Sequence, residues 1–170
     1  MLERKGKSKE DRGRRPNRDS EEEFEQRVID LARVTRVMAG GKRMRFRACV
    51  ALGDKKGRVA VGLAKGVDVT VAINKAVNSA KKDFIHVEII NDTILHDVHA
   101  KYKAAAVLLR PAERGKGIVA GGAMRQVLEL AGIPNVVGKI LGSKNKINTT
   151  RATLKALASL KKSDQSTFTL

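Results

Sequence analysis

The sequence GGKRMRFRACVALGDKKGRVAVGL, from Gly40 to Leu63, predicts a β-hairpin that organises the first half of the chain. In its first strand every second residue is apolar, and these residues share one face: Met44, Phe46, Ala48, Val50 and Leu52. Arg43, Arg45 and Arg47 alternate with them, so period-two spacing predicts a half-buried strand with a basic outer row. GDKKG at 53–57 is a turn, and a third strand carries Val59, Val61 and Leu63.

A strand at about 26–38 precedes this hairpin, and GGK at 40–42 turns the chain between them. From Asp68 the apolar spacing changes to a helical stripe of Val69, Ile73, Ala76, Val77 and Ala80. Asp68 is the expected N-cap, and Lys81–Lys82 suit the C-terminal end. Residues 23–83 therefore read as a small βββα unit.

A second unit is expected over residues 84–160. FIHVEII and roughly 94–110 read as strands around a turn at Asn91–Asp92, and 136–141 as a further strand. A helix at about 119–131 has a core stripe of Met124, Val127, Leu128 and Ala131, and Gly132 with Pro134 ends it. The final helix should point Ile147, Leu154, Leu157 and Ala158 inward. The predicted class is α+β with two small α/β units, a disordered charged tail at 1–22 and a frayed tail at 161–170.

Charge indicates the class of partner. Of the formal net charge of +17, residues 1–25 contribute nothing, because eight basic side chains balance eight acidic ones. The excess lies in the folding part, where a polyanion would relieve its self-repulsion, and nucleic acid is the first candidate. A membrane is disfavoured, because there is no lipidation signal and no apolar run of spanning length. The first residues also lack the apolar segment of a secretory signal. The single cysteine, Cys49, excludes an internal disulfide or a cysteine-based zinc site, fits a reducing cytoplasm, and is best read as buried filler.

The glycine-rich stretch RPAERGKGIVAGGAMRQVLELAG, residues 110–132, raises the alternative of an enzyme. Glycines at a helix start suit phosphate, but the stretch has neither GxxxxGK[ST] nor a complete GxGxxG. Glu113 is the only acid between Asp97 and Glu129, whereas a kinase needs carboxylates for Mg²⁺ and for a base. A small-molecule kinase stays open as the rival. His96 and His99 would face opposite sides of a strand, which disfavours a metal site.

Three groups of cations suit phosphate contact: Arg43, Arg45 and Arg47; Lys101 and Lys103; and Lys144, Lys146 and Arg151 at a helix start. Aromatic residues are only 3% of the chain, so a base-stacking platform is not expected. We therefore expect recognition of RNA shape and backbone. A free-standing double-stranded-RNA binder remains a further alternative.

Three long motifs in colinear order closely resemble the family of bacterial-type small ribosomal subunit protein five. They are GGKRMRFRACVALGDKKGRVAVGLAKG, PAERGKGIVAGGAMRQVLELAGI and GSKNKINTTRATLKAL, and the resemblance covers about residues 24–160. It implies a first unit similar to a double-stranded-RNA-binding domain and a second unit that is the α/β sandwich of the family's second domain. It further implies a cytoplasmic, non-enzymatic protein without cofactors, monomeric within the ribosome. Lys146 stands where relatives usually carry proline.

The resemblance implies binding to small-subunit rRNA at the junction of body and head, beside proteins four and eight of that subunit. It also implies a place along the mRNA entry path and an effect on decoding accuracy and spectinomycin response. It puts VTRVMAGGK, residues 34–42, against the rRNA of the head, and Gly117 and Arg125 at the contact with protein four. The complete set of expected rRNA-binding residues is Thr35, Arg36, Gly40, Gly41, Lys42, Arg43, Arg45, Arg47, Lys65, Lys101, Lys103, Lys144, Lys146 and Arg151.

Overall fold

A computed structural model describes residues 24–160, so the predicted tails at 1–22 and 161–170 lie outside the described residues. The chain has the predicted α+β class, with two four-stranded sheets and three helices among the described residues. The first sheet and its helix comprise β1 (Glu25–Met38), β2 (Gly41–Gly53), β3 (Arg58–Gly66), α1 (Val69–Ala80) and β4 (Ile85–His86). The second unit comprises β5 (Val98–Tyr102), β6 (Ala105–Pro111), β7 (Ile118–Val119), α2 (Gly122–Ala131), β8 (Val136–Gly142) and α3 (Lys146–Ala158).

The first sheet is antiparallel in the order β1-β2-β3-β4, and α1 packs against one of its faces. Ala48, Val50 and Leu52 lie on that face as predicted, and a helix face of Ala72, Ala76 and Ala80 covers them. The helix comes very close, because a Cβ on Gly62 of β3 would lie 1.9 Å from the carbonyl oxygen of Ala76. Asp68 occupies the N-cap position, but its side chain makes no capping hydrogen bond.

The second sheet has the order β5-β6-β8-β7, and only β7 and β8 run parallel. The predicted core residues of α2, namely Met124, Val127, Leu128 and Ala131, are all fully buried. Gly132 ends this helix in the left-handed conformation, with φ +80°, a position that favours glycine.

Several predicted element boundaries are wrong. FIHVEII does not form a strand of the second unit, because only Ile85–His86 pairs, and it pairs with β3 of the first sheet. The turn at Asn91–Asp92 is present, with positive φ at both residues, but it closes a single bridge. The hairpin within 94–110 instead turns between Tyr102 and Ala105. Helix α2 begins at Gly122, since residues 118–119 pair with β8 as a strand.

The last helix buries a different face from the predicted one. Leu157 is buried, Ile147 and Leu154 are partly buried, and Ala158 is exposed. The rest of its buried face consists of three threonines, Thr149, Thr150 and Thr153, with two alanines, Ala152 and Ala156. The threonine hydroxyls donate to backbone carbonyls four residues earlier, so these polar groups are satisfied inside the protein.

The two units share one core, because α2 and α3 lie between the two sheets. Ile29, Cys49 and Ala51 project from the face of the first sheet opposite α1 and join the cluster that contains Leu128, Leu130 and Leu157. The layers therefore run α1, first sheet, α2 with α3, second sheet. We call the contact between the first sheet and α2 the seam.

Backbone groups fix the seam at one end. The N–H groups of Lys55 and Gly57, in the β2–β3 turn, donate to the carbonyls of Leu130 (3.0 Å) and Ala131 (2.9 Å) at the end of α2. A Cβ on Gly53 would lie 2.2 Å from the oxygen of Leu130. The turn and the helix end therefore meet without room for a side chain between them.

Candidate nucleic-acid interface

The β1–β2 hairpin extends beyond the rest of the first sheet. The last pair between β2 and β3 joins Phe46 and Gly66, but β1 and β2 continue for five more pairs, from Val34–Arg45 to Met38–Gly41. At strand spacing this two-stranded segment, which we call the ribbon (residues 34–45), is about 17 Å long. The predicted loop at 34–42 is therefore mostly strand, with a turn of only two residues, Ala39 and Gly40.

One face of the ribbon and of the adjoining sheet collects the cations. Arg36 lies opposite Arg43, and Arg47 lies opposite Lys65 of β3, so their side chains share a face with that of Arg45. We call this set the arginine face: Arg36, Arg43, Arg45, Arg47 and Lys65. Arg36, Arg43, Arg45 and Lys65 help to line a groove of about 330 Å³. Like charges directly opposite each other destabilise a sheet, so an anion bound to this face would relieve the repulsion between its cations.

The other face of the ribbon differs in character. Thr35 lies opposite Met44 and Val37 opposite Lys42, so Thr35 and Lys42 do not share a face with Arg36. Met44 was expected in the core, but it is 50% exposed because α1 packs only along the later part of β2. Gly40 has open space around it, and Gly41 has a φ of +134°, which favours glycine.

The carboxylate of Asp30 is paired with cations beside the arginine face. Asp30 of β1 places Oδ2 3.5 Å from Nη2 of Arg47 and Oδ1 3.3 Å from Nζ of Lys146, the first residue of α3. Lys146 is thereby brought next to Arg47, although the two are distant in sequence. Sequence reasoning did not single out Asp30, because nothing in its local pattern marks the partner from α3.

A second group of cations surrounds Tyr102 at the end of β5. Arg151 donates from Nη1 to the Tyr102 hydroxyl at 2.8 Å, and its guanidinium lies 5.6 Å from the ring centroid. Lys103 Nζ is 5.9 Å from the same centroid, and Lys155 Nζ donates to the carbonyl of Lys101. We call Lys101, Tyr102, Lys103, Arg151 and Lys155 the tyrosine cluster. The hydrogen bond from Arg151 lowers the pKa of the Tyr102 hydroxyl against a smaller opposing effect of burial.

Three of the predicted residues, Lys101, Lys103 and Arg151, thus come together. Lys144 lies in the link between β8 and α3, where Ser143 N–H donates to the carbonyl of Ala104, next to Lys103. The sequence analysis missed Tyr102, the one tyrosine of the chain. Its position in a strand between two lysines was the only available signal.

Cys49 shows that the two basic groups are neighbours. The thiol is buried, as expected for a filler residue, and burial raises its pKa to about 11. The charge of Asp30 also raises this pKa, whereas those of Arg151 and Arg47 oppose the rise. Asp30 lies opposite Cys49 in the register of β1 and β2, and Cys49 belongs to the core that the two units share.

The glycine-rich stretch before α2 binds a side chain of the protein itself. The N–H groups of Gly115 and Gly117 both donate to Oδ1 of Asn135, each at 3.1 Å. Asn135 is 6% exposed, and its Nδ2 donates to the carbonyl of Asp92. These two N–H groups are therefore already satisfied, and the loop is tied to the start of β8. Sequence analysis missed Asn135, since a buried amide has no periodic signature.

Gly117 and Arg125, the expected protein-contact residues, lie on either side of the start of α2. Gly117 has a φ of +74°, and the Arg125 side chain is 58% exposed. Arg125 donates from Nε to Oε1 of Glu129 at 2.8 Å, and the same carboxylate also binds Arg27. The bond from Arg125 is the main cause that lowers the pKa of Glu129, with burial opposing it.

Other classes of site find no support in the part of the chain described here. Within residues 24–160, no three His, Cys, Asp or Glu side chains are grouped as metal ligands. No helix within the same range has the length and apolar character needed to cross a membrane.

Comparison with known proteins agrees with both units. The family model described as "Ribosomal protein S5, N-terminal domain" matches residues 24–88, and "Ribosomal protein S5, C-terminal domain" matches residues 100–167. The chain is 49% identical over 140 residues to "Small ribosomal subunit protein uS5" of Campylobacter jejuni serotype O:23/36 and of strain RM1221. Each alignment covers 82% of this chain and 95% of the relative. The kinase alternative is therefore wrong. The chain belongs to the ribosomal protein S5 family and is a structural, non-enzymatic protein of the small ribosomal subunit in the cytoplasm.

Proposed function

We propose that the chain binds small-subunit rRNA mainly through the arginine face, at the junction of body and head. The observation that carries this proposal is the convergence of five cations on one face of the ribbon and the adjoining sheet. Arginine binds phosphate through paired N–H donors, and a row of arginines along an extended strand suits the repeat of an RNA backbone.

The tyrosine cluster provides a second contact in this proposal. Its cations lie on β5, on the turn that follows it and on α3; Arg151 and Lys103 lie beside the Tyr102 ring, and Lys155 is held by the carbonyl of Lys101. Because Arg151 and Lys103 are both near this ring, it is poorly placed to stack on an unpaired base. The contact is therefore with phosphates, and the rRNA sequence affects recognition only through the shape that it gives the RNA.

The ribbon is exposed along its whole tip, from residue 35 to residue 44. The tip carries Arg36, Lys42 and Arg43 around a two-residue turn, and within residues 24–160 neither core cluster includes it. A narrow hairpin of this kind can enter a groove between RNA helices. We assign it to the rRNA of the head near the spectinomycin site, as the family resemblance implies.

The contact with protein four uses a different surface, formed by Gly117 and Arg125. The exposed Arg125 suits a carboxylate across an interface, and Asn135 gives the loop around Gly117 a fixed shape. Protein eight and the mRNA entry path complete the proposed surroundings. A rigid protein between two parts of the subunit would affect how the subunit closes, and hence decoding accuracy.

Charge reversal tests the RNA surface. Arg45→Glu should weaken binding of the full chain to deproteinised small-subunit rRNA by on the order of tenfold or more, because a phosphate contact becomes a repulsion. Lys75→Glu makes the same charge change on the exposed outer side of α1 and is the matched control. Wild-type affinity should also fall by about three powers of ten between 50 and 200 mM salt for six to ten phosphate contacts. Equal losses in both variants, or a flat salt response, would contradict the proposal.

A further inference from the structure

We propose that Asp30 is a positioning residue of the RNA surface. Its carboxylate holds Arg47 of the first unit and Lys146 of the second, so that the arginine face and the tyrosine cluster form one continuous strip for a single stretch of RNA backbone. This inference rests on the proposed function and adds to it a role for a negatively charged residue on a surface that binds phosphate.

A carboxylate beside an anion-binding face is unfavourable by long-range electrostatics alone. A negative charge there repels phosphate, and its removal should strengthen binding. Asp30 therefore favours RNA binding only if the affinity gained by orienting the cations exceeds the affinity lost to its negative charge. The two effects predict opposite changes in RNA affinity when the charge of Asp30 is removed, so a binding measurement can distinguish them.

Asp30 binds one cation from each unit, and we call this pair of contacts the clamp. Its two oxygens bind different cations, Oδ2 with Arg47 at 3.5 Å and Oδ1 with Lys146 at 3.3 Å. The Asp30 side chain is 21% exposed and lies next to a β-bulge in β1, where the register with β2 shifts between Val28 and Asp30. A bulge re-aims the side chains that follow it, and here the carboxylate faces α3 of the other unit.

Arg47 depends on this clamp for its direction. Ala32 and Lys65 lie opposite it and Arg45 precedes it on the same face, so two of these neighbours are cations; its own Nε is buried without an acceptor among the described residues. Among the described residues, the guanidinium of Arg47 donates to the Asp30 carboxylate, from Nη2 to Oδ2. Without the carboxylate, repulsion from Arg45 and Lys65 would turn the guanidinium away from the face.

Lys146 depends on it in the same way. Its side chain is 60% exposed at the first residue of α3, and Asn145 caps that helix through its own side chain. The free ammonium of an exposed lysine samples many rotamers, and fixing it before RNA arrives removes part of that entropic cost. Arg151 lies five residues later in the same helix, and in this proposal it continues the strip from Arg47 and Lys146 into the tyrosine cluster.

The test compares Asp30→Asn with Asp83→Asn, which removes the same charge from an exposed residue after α1. Binding of the full chain to deproteinised small-subunit rRNA is measured from 50 to 200 mM salt. We expect Asp30→Asn to bind roughly three- to tenfold more weakly, as for one weakened charge-assisted hydrogen bond. The slope of log affinity against log salt should fall by about one unit per lost phosphate contact. Asp83→Asn should bind equally well or slightly better, with the slope unchanged.

A second variant separates positioning from folding. Lys146→Gln leaves the Asp30–Arg47 pair intact, and its cost in affinity should be clearly smaller in the Asp30→Asn background than in the wild type. Melting temperatures of all variants are measured in parallel. Tighter binding by Asp30→Asn, or equal costs of Lys146→Gln in both backgrounds, would overturn the inference. A salt-independent wild type that is also insensitive to Arg45→Glu would instead overturn the proposed function.

Discussion

The two halves of β2 have opposite surroundings: cations alternate with apolar residues from Arg43 to Arg47, whereas Ala48 to Gly53 contains no polar side chain. From Lys42 to Arg47 the strand is exposed or half-buried and carries Arg43, Arg45 and Arg47; up to Arg45 it pairs with β1, and β3 joins only at Phe46 and Arg47. From Ala48 to Gly53 every residue is buried, with α1 on one face and the seam on the other. One strand thus divides binding from stability, and substitutions along it should separate the two properties.

The largest effect is expected at the buried end of the strand. Gly53→Ala should destabilise the protein by about 3 kcal/mol, because its Cβ would lie 2.2 Å from the backbone oxygen of Leu130 and overpacking against backbone is poorly relieved. For a chain of this size the melting temperature should fall by roughly 6–12 °C. Gly40→Ala, at the ribbon tip where nothing lies within 4 Å, is the control and should shift stability by about 0.5 kcal/mol or less. Similar melting temperatures for the two variants would contradict the division.

A smaller effect is expected in the turn that follows Gly53. Asp54 accepts from the N–H groups of Lys56 and Arg58 and binds Nε of Arg58 at 2.7 Å. Burial raises the pKa of Asp54, but these hydrogen bonds outweigh it, and the pKa is lowered from its usual 3.8. Asp54→Asn should therefore cost about 2 kcal/mol at pH 7, as for a charge-assisted bond.

The pH dependence of that cost follows from the direction of the shift. A carboxyl group whose pKa is lowered in the folded protein stabilises the fold at pH values above its usual pKa. This contribution is lost as the pH falls through the pKa of the folded state. The difference between wild type and Asp54→Asn in urea unfolding should therefore shrink from pH 7 to pH 3. Asp83→Asn is the control for net charge. A difference that is equal at both pH values would argue against the ionised carboxylate.

The smallest effect on stability is expected at the exposed end of the strand pair. Arg36→Glu should change the free energy of unfolding by about 0.5 kcal/mol or less, since surface substitutions outside the core rarely do more. In cells whose ribosomes carry only this variant, the growth-inhibiting concentration of spectinomycin should change, because the ribbon is proposed to lie at that rRNA. A normal drug response from fully assembled variant ribosomes would contradict this placement.

The same strand shows which parts of the fold could be predicted from the sequence. The alternation of Arg43, Arg45 and Arg47 with apolar residues correctly predicted the basic face, because water borders that part of β2. The burial of Cys49 was also predicted correctly, but the alternation did not indicate what covers Cys49 and Ala51, since small residues suit either an exposed or a covered face. Their burial depends on α2, and no local pattern specifies which distant helix will cover a sheet.

The candidate site shows the same limit. Single cations could be identified from charge and spacing, and the family resemblance supplied Thr35, Arg36 and Lys42. Asp30, Tyr102 and Asn135 act through partners distant in sequence, so their roles became visible only in three dimensions. The two residues of the β7 strand were missed for a related reason, because their partner β8 follows later in the chain.

The shared core has a consequence for synthesis of the chain. The sheet of the first unit can form once β3 and α1 have left the ribosome, but its second apolar face, with Ile29, Cys49 and Ala51, has no cover until α2 and α3 emerge. At roughly 5–20 residues per second this interval lasts several seconds. During that time the nascent chain presents an uncovered sheet face beside a strongly basic hairpin. We expect this intermediate to be the form of the protein that chaperones bind and that RNA binds without specificity.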